Sequence, residues 1–496
     1  MRNHFLFARG RLRLLALFCL GLGGLAGALP AATLADFGYQ NMRIHGQPAL
    51  GVRPLLLILA TFDNRPAFAY PPAHYQSLVF SASTPSVYGY HREVSRARFL
   101  WSMASYQPLT LNQPFERCWH GYRTNLLAHG YPTNAATDQF ADRLVISNVV
   151  WQVMLNGFDF RSFDTNFDGT VQEHELSILL ISNENQNLGA TRSSGPVNPP
   201  AGHPNAIVNM DHVAHVNHWT DFGSITHEMS HVLGAIDLYD DGGCKGQSVS
   251  VMSCTLPWEI ETNFVSYYLD AWHRMQLGWT DPRIGSLPAG GLAVIPAAQL
   301  PNTDSPVLLY DPAKGTSEFF LLEYRSAFVT NSASLYDQNM HSNGLAIWFI
   351  QQDGTHYPVN HPSPGKNWDK AFYTLASPLL DVGGWDQWPG NSLTPKLRWY
   401  DGTQSPTVIY VHPFGMGASS ITVEWRNDTA YWVDFNYRSS PQNGQFATPF
   451  PTLAQGLGTV GWGGTLNFKT GVSSESANIT KRLELRAFNG PVTIGH

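Results

Sequence analysis

The stretch Thr226–Asp240, THEMSHVLGAIDLYD, constrains this chain more than any other. His227 and His231 stand four residues apart, so on a helix they project from one face, one turn above the other. Two imidazoles in that relation can share one Zn²⁺. Glu228 is not needed as a ligand; beside the metal it is placed to take a proton from an activated water and hand it to a leaving amine. Gly234 can adopt the left-handed conformation that stops a helix. The chain can then turn back and present Asp237 as third ligand, leaving a fourth position for water. Asp240 and Asp241 are the other acids that could take this role. Downstream, Met252 in Ser250–Ser253 is placed to floor the metal with apolar surface, although a methionine in a turn is more often core packing.

A second metal motif lies upstream. Asp164–Glu175 reads D-T-N-F-D-G-T-V-Q-E-H-E, with oxygen side chains at Asp164, Asn166 and Asp168 and a turn glycine at Gly169. A backbone carbonyl at Thr170 and an acid at Glu175 complete the ligand order of a calcium loop of the EF-hand kind. The exit, LSILLI, reads as a strand and not a helix, so Glu173 or water could substitute for Glu175. The plain alternative is an Asx-rich turn without an ion. Calcium here is expected as a stabiliser, since an ion that binds only the folded state favours it.

The rest of the chain sets the frame. At 496 residues, two or three domains are the prior. Hydrophobic residues make up 43% and charged ones 14%, enough to bury large cores. A net charge of −7 without a basic stripe gives no reason to expect nucleic acid. Met1–Arg13 carries four arginines and no acid, followed by the apolar Leu14–Leu29 and by Ala28, Ala31, Ala32 and Ala35. That order is a cleavable export signal over 1–35, cut between about 28 and 35. The mature chain is then expected to be extracellular, with no membrane span. Of four cysteines, Cys19 leaves with the signal; Cys244 and Cys254 can bridge, leaving Cys118 as a buried thiol.

Pro54–Phe62 and Leu176–Ile181 read as buried strands, Arg143–Leu155 as a helix, and Ala206–His215 as an exposed strand at a cleft edge. Helices are expected over about Phe222–Leu233 and over Phe264–Leu277, the latter capped by Asn263 or Thr262. After Asp281 strand-like runs such as Phe319–Tyr324, Gly344–Gln351 and Thr407–Val411 dominate. From Gly444 short strands alternate with glycine-rich turns, as in β-solenoid coils. His212, His215 and His218 precede the histidine helix, and a third zinc ligand among them is conceivable; Tyr267 and Tyr268 read better as core than as oxyanion donors.

The pieces PLLLILATFDN, FDTNFDG, HEMSHVLGAIDLYD, VMS, YYLDAWHRMQLGW, EFFLLEYR and GLAIWFIQQD together resemble the immune-inhibitor-A family of secreted bacterial metalloproteases, which are metzincin-like. The likeness spans most of residues 48–430. It implies a substrate cleft across the zinc helix, protein or peptide substrates, Glu228 as base and His227, His231 and Asp237 as ligands. Family members carry a long pro-segment, whereas little lies here between the signal and Pro54. The expected architecture is α+β: a metzincin-like zinc peptidase domain over 36–280 with a twisted mixed sheet and active-site helix, a β-rich domain over 281–430 and a solenoid-like tail over 431–496. The expected function is a secreted endopeptidase with one catalytic zinc and a structural calcium. The rival is a calcium-stabilised surface-binding protein with a vestigial zinc site, against which the intact Glu228 argues.

Overall fold

PLLLILATF and SILLIS are apolar at almost every position rather than at alternate ones, which calls for strands covered on both faces. In the computed structural model they are neighbours in a four-stranded parallel sheet. Gly51–Phe62 pairs with Phe99–Leu111 on one side and Ser177–Ser182 on the other, and Val213–Asn217 forms the outer strand beyond. A mixed sheet was expected; all four strands run parallel because long crossings, two of them helical, carry the chain back between them. Pro72–Phe80 and Val87–Val94 make the first return and Ala135–Leu155 the second.

The two-residue alternation of Gly51–Phe62 splits its apolar side chains between the faces. Leu56, Ile58, Ala60 and Phe62 join Val145, Val149, Val150 and Val153 of the long helix in one core. Leu55, Leu57 and Leu59 are as deeply buried on the opposite face. The histidine-bearing helix Phe222–His231 packs against Val213–Asn217 and against helix Val87–Val94.

The structure describes residues 32–495 except 41, 64–65, 84, 112–122, 134, 184–195, 210, 239–249, 253–266, 302–305, 327–333, 335, 339–342, 352–372, 375–391, 394–396, 398, 400–402, 404, 413, 416 and 428–429. Residues 1–31 of the expected export signal, all four cysteines, Asp240, Asp241 and the expected helix caps at 262–263 lie outside the described residues. Among the described residues no helix is long and apolar enough to cross a membrane.

Two expected elements differ. Ala206–His215 is not one exposed strand but two, Ile207–Asn209 and Val213–Asn217, and the second is largely buried. They separate because Ile207–Asn209 pairs with Thr170–Val171 in a small sheet, whereas Val213–Asn217 joins the large one. The helix expected from Phe264 begins at Ala271 in the described part. Asp270 caps it, accepting from His273 N at 2.9 Å, while the Tyr268 N–H is drawn away to Asp337 at 2.8 Å.

Beyond residue 281 a five-stranded and a four-stranded sheet enclose a second core, with Phe320, Leu322 and Ile347 of one facing Ile409, Val423 and Trp425 of the other. Strands Ala430–Val433, Thr465–Ser473 and Glu484–Ile494 then run parallel, largely in step. The molecule is therefore mixed α/β, with several sheets and few helices.

Thr33–His496 forms one compact unit, and the expected division near residue 280 is crossed by buried charge. Glu323 takes Arg274 at 2.6 Å and the Trp348 indole at 2.7 Å, while Arg325 holds Asp337 at 2.6 Å. These ionic groups are all buried, and removing one partner of such a pair costs about 3–5 kcal/mol.

Candidate metal centre

Asp221 opens the histidine helix by accepting from Ser224 N at 2.9 Å. Its far end closes as a Schellman turn: Gly234 N donates to His231 O at 2.8 Å and Ala235 N to Ser230 O at 3.1 Å. Gly234 sits at φ +105°, which only glycine adopts without strain. The chain so reversed brings Asp237 back over the helix.

Each imidazole is fixed by a backbone carbonyl. His227 Nδ1 donates to Val251 O at 2.7 Å, and His231 Nδ1 to Ala235 O at 2.7 Å. A carbonyl only accepts, so both Nδ1 atoms carry hydrogen and both Nε2 atoms turn to a common point. There the Nε2 atoms are 3.1 Å apart, and Asp237 Oδ1 lies 3.1 Å from His227 and 3.3 Å from His231. A tetrahedral zinc with bonds of about 2.0–2.1 Å sets its ligands about 3.3 Å apart. The triangle matches that spacing, and its nitrogen and oxygen donors suit zinc.

Burial works to lower the His231 pKa, but the charge and hydrogen bond of Asp237 prevail and raise it to about 9. Burial would raise Asp237, yet His231 and His227 hold it far below the ordinary carboxylate range. Protons and a cation compete for the same imidazole and carboxylate atoms. Glu228 is partly buried, and among the described residues its Oε2 accepts no hydrogen bond. Its negative charge reaches His231.

Met252 is fully buried, and its carbonyl accepts from Leu238 N at 2.9 Å, tying the loop that carries Asp237. Support from further away was not apparent in the sequence. Ile236 N donates to His273 Nε2 at 3.2 Å, His273 Nδ1 holds Asp270 at 2.6 Å, and Asp270 accepts from Ser250 Oγ at 2.7 Å. This buried chain fixes both neighbours of the triad, the Asp237 loop and the Val251 turn. Its only sequence signal is the D-x-x-H spacing at a helix start.

The remaining expected ligands lie apart. His215 Nε2 meets Ser182 Oγ at 2.9 Å, and His218 Nδ1 accepts from Ala69 N at 2.9 Å. Tyr268 is buried, with Arg274 over its ring at 5.2 Å.

In the upstream loop Asp164 accepts from Gly169 N at 2.9 Å, Asn166 from Asp168 N at 2.9 Å, and Asp168 from Thr170 N at 2.8 Å. These Asx turns bring the first three side chains together. Glu175 is engaged by the loop's own backbone. Its Oε1 accepts from Thr165 N at 2.7 Å, Thr165 Oγ1 at 2.6 Å and Asn166 N at 3.3 Å, and its Oε2 from Gln172 N at 3.0 Å. Glu173 is likewise engaged, accepting from Asp211 N at 2.8 Å and His212 N at 3.2 Å.

No family model matches this sequence, and no curated protein matches it significantly.

Proposed function

We propose that this chain is a zinc-dependent endopeptidase, exported from a bacterial cell and cutting internal peptide bonds of proteins. The resemblance to the immune-inhibitor-A family and a metzincin-like arrangement of the 36–280 region belong to the same proposal. The observation that carries it is the triangle of His227 Nε2, His231 Nε2 and Asp237 Oδ1, with edges of 3.1–3.3 Å, beside a Glu228 oxygen that accepts no hydrogen bond among the described residues.

His227, His231 and Asp237 would hold the zinc, which supplies Lewis acidity toward water and a peptide carbonyl. Glu228 takes the proton from the attacking water and delivers it to the departing amine. The carbonyls of Val251 and Ala235 keep both rings in the tautomer that ligation needs. The largely buried strand Val213–Asn217 leads directly into the helix that carries the histidines.

Calcium is proposed at Asp164, Asn166, Asp168 and the Thr170 carbonyl, as a stabiliser. Glu175, engaged with backbone N–H groups, does not fit the twelfth-position ligand role as arranged. Casein hydrolysis by the purified chain, with and without a chelator, tests the peptidase reading. Activity should vanish on chelation and return with zinc; hydrolysis indifferent to chelation, or none at full zinc loading, would sink it.

A further inference from the structure

A second cluster of nitrogen and carboxylate donors lies away from the triad. His45, Glu173 and His212 each offer one ligand atom, all within 4.8 Å of one another. They come from separate parts of the chain: the turn of an N-terminal hairpin, the segment before strand Ser177–Ser182, and the segment before Val213–Asn217.

Glu173 is 1% exposed. Its Oε1 is held by the backbone N–H groups of Asp211 and His212, which aims the carboxylate. Its Oε2 lies 2.7 Å from His45 Nε2 and, among the described residues, takes no hydrogen bond. His212 Nδ1, 3.9 Å from Oε1, is likewise buried without one. Arg53 is buried close enough for its charge to reach Glu173, but its Nη2 is turned to Pro48 O at 3.4 Å. A buried carboxylate oxygen without a hydrogen bond is unfavourable. A cation among the three side chains would relieve this.

The hairpin is shaped to deliver His45. Arg43–Ile44 pairs with Gln47–Pro48 across the two-residue turn His45-Gly46, with φ of +48° and +77°. Such a turn favours Asn or Gly at its first position, and here a histidine occupies it. Ile44 and Met42 border Gly234, so whatever fixes this hairpin also braces the stop of the histidine helix.

We propose that His45, Glu173 and His212 form a second site for a borderline divalent cation of the zinc class. Asp211 Oδ2, 3.9 Å from His45 Nε2, lies within reach as a fourth ligand. Two imidazoles select zinc, cobalt or nickel over calcium and magnesium, which take oxygen. The bound ion staples the N-terminal hairpin to the sheet.

Full-length protein, stripped with chelator and reloaded with Zn²⁺ alone or Co²⁺ alone, tests this by metal analysis after dialysis. Wild type should retain two ions per chain. His45→Ala and His212→Ala should each retain one, as should the double variant His227→Ala/His231→Ala. His45 is at a partly exposed turn, so its truncation leaves the core intact, and circular dichroism checks the fold of each variant. One ion in wild type that disappears with His227→Ala, or two ions surviving in both His45→Ala and His212→Ala, overturns the second site. One ion that disappears only with His45→Ala supports it and defeats the peptidase reading, so the two proposals fail separately.

Discussion

In the helix Phe222–His231 the backbone N–H groups are satisfied by the helical ladder and by Asp221 at its start. The side chains of His227 and His231 can therefore be aimed by carbonyls alone, and they converge with Asp237. In the loop Asp164–Glu175 the only ladder among the described residues is at Thr170–Val171, and the oxygens of Asp164, Asn166, Asp168 and Glu175 serve the N–H groups of their own turn. The difference is one of backbone demand. The two histidines borne on the helix are available to an ion, whereas the oxygens of this upstream loop first hold the loop.

The strongest way to break this contrast is at the base. Glu228→Ala should lower turnover on the order of a thousandfold while zinc content, measured on the same sample, stays unchanged. Retained activity would show that the carboxylate has no catalytic part. Next in size is the buried support. Asp270→Asn removes the charge that orients His273, and through Ile236 the Asp237 loop. Zinc affinity, measured by competition with a chelating dye, should fall about 10–100-fold. An unchanged affinity would mean that the loop holds itself.

Glu175→Ala should destabilise the fold by about 1–3 kcal/mol, to the same extent with and without calcium, in urea unfolding. A loss seen only with calcium would return Glu175 to the ligand set. The pH dependence has a definite sign. Burial acts to raise the Glu175 pKa, but its hydrogen bonds from Gln172, Thr165 and Asn166 lower it overall. Its contribution is therefore present above the unfolded carboxyl value and lost as pH falls through the lower folded one. Wild type and Glu175→Ala should converge in stability on acidification. The smallest effect is expected from calcium itself, a rise of a few degrees in Tm that is absent in Asp164→Ala.

What the sequence disclosed followed from distance along the chain. The helix, the Gly234 stop and the return of Asp237 depend on spacings of three and four residues, and these were legible. The Asp270–His273 support was not, because its partner Ile236 lies 37 residues before His273. Likewise the Tyr268 N–H is held by Asp337, 69 residues further along the chain. The calcium template gives the order of oxygens but not the demands of the backbone; the strand-like exit puts Glu175 in question but gives no sign that Thr165, Asn166 and Gln172 engage it. Continuous apolar runs disclosed buried strands; that all four run parallel depends on where the helices return the chain.

The account rests on one geometry, and zinc-edge anomalous diffraction from crystals of the full chain tests it most directly. The predicted result is a peak about 2.0–2.2 Å from His227 Nε2, His231 Nε2 and Asp237 Oδ1, with solvent in the remaining position and Glu228 beside it, unbound. A peak elsewhere, or a fourth protein ligand closing the coordination sphere at this place, would contradict it.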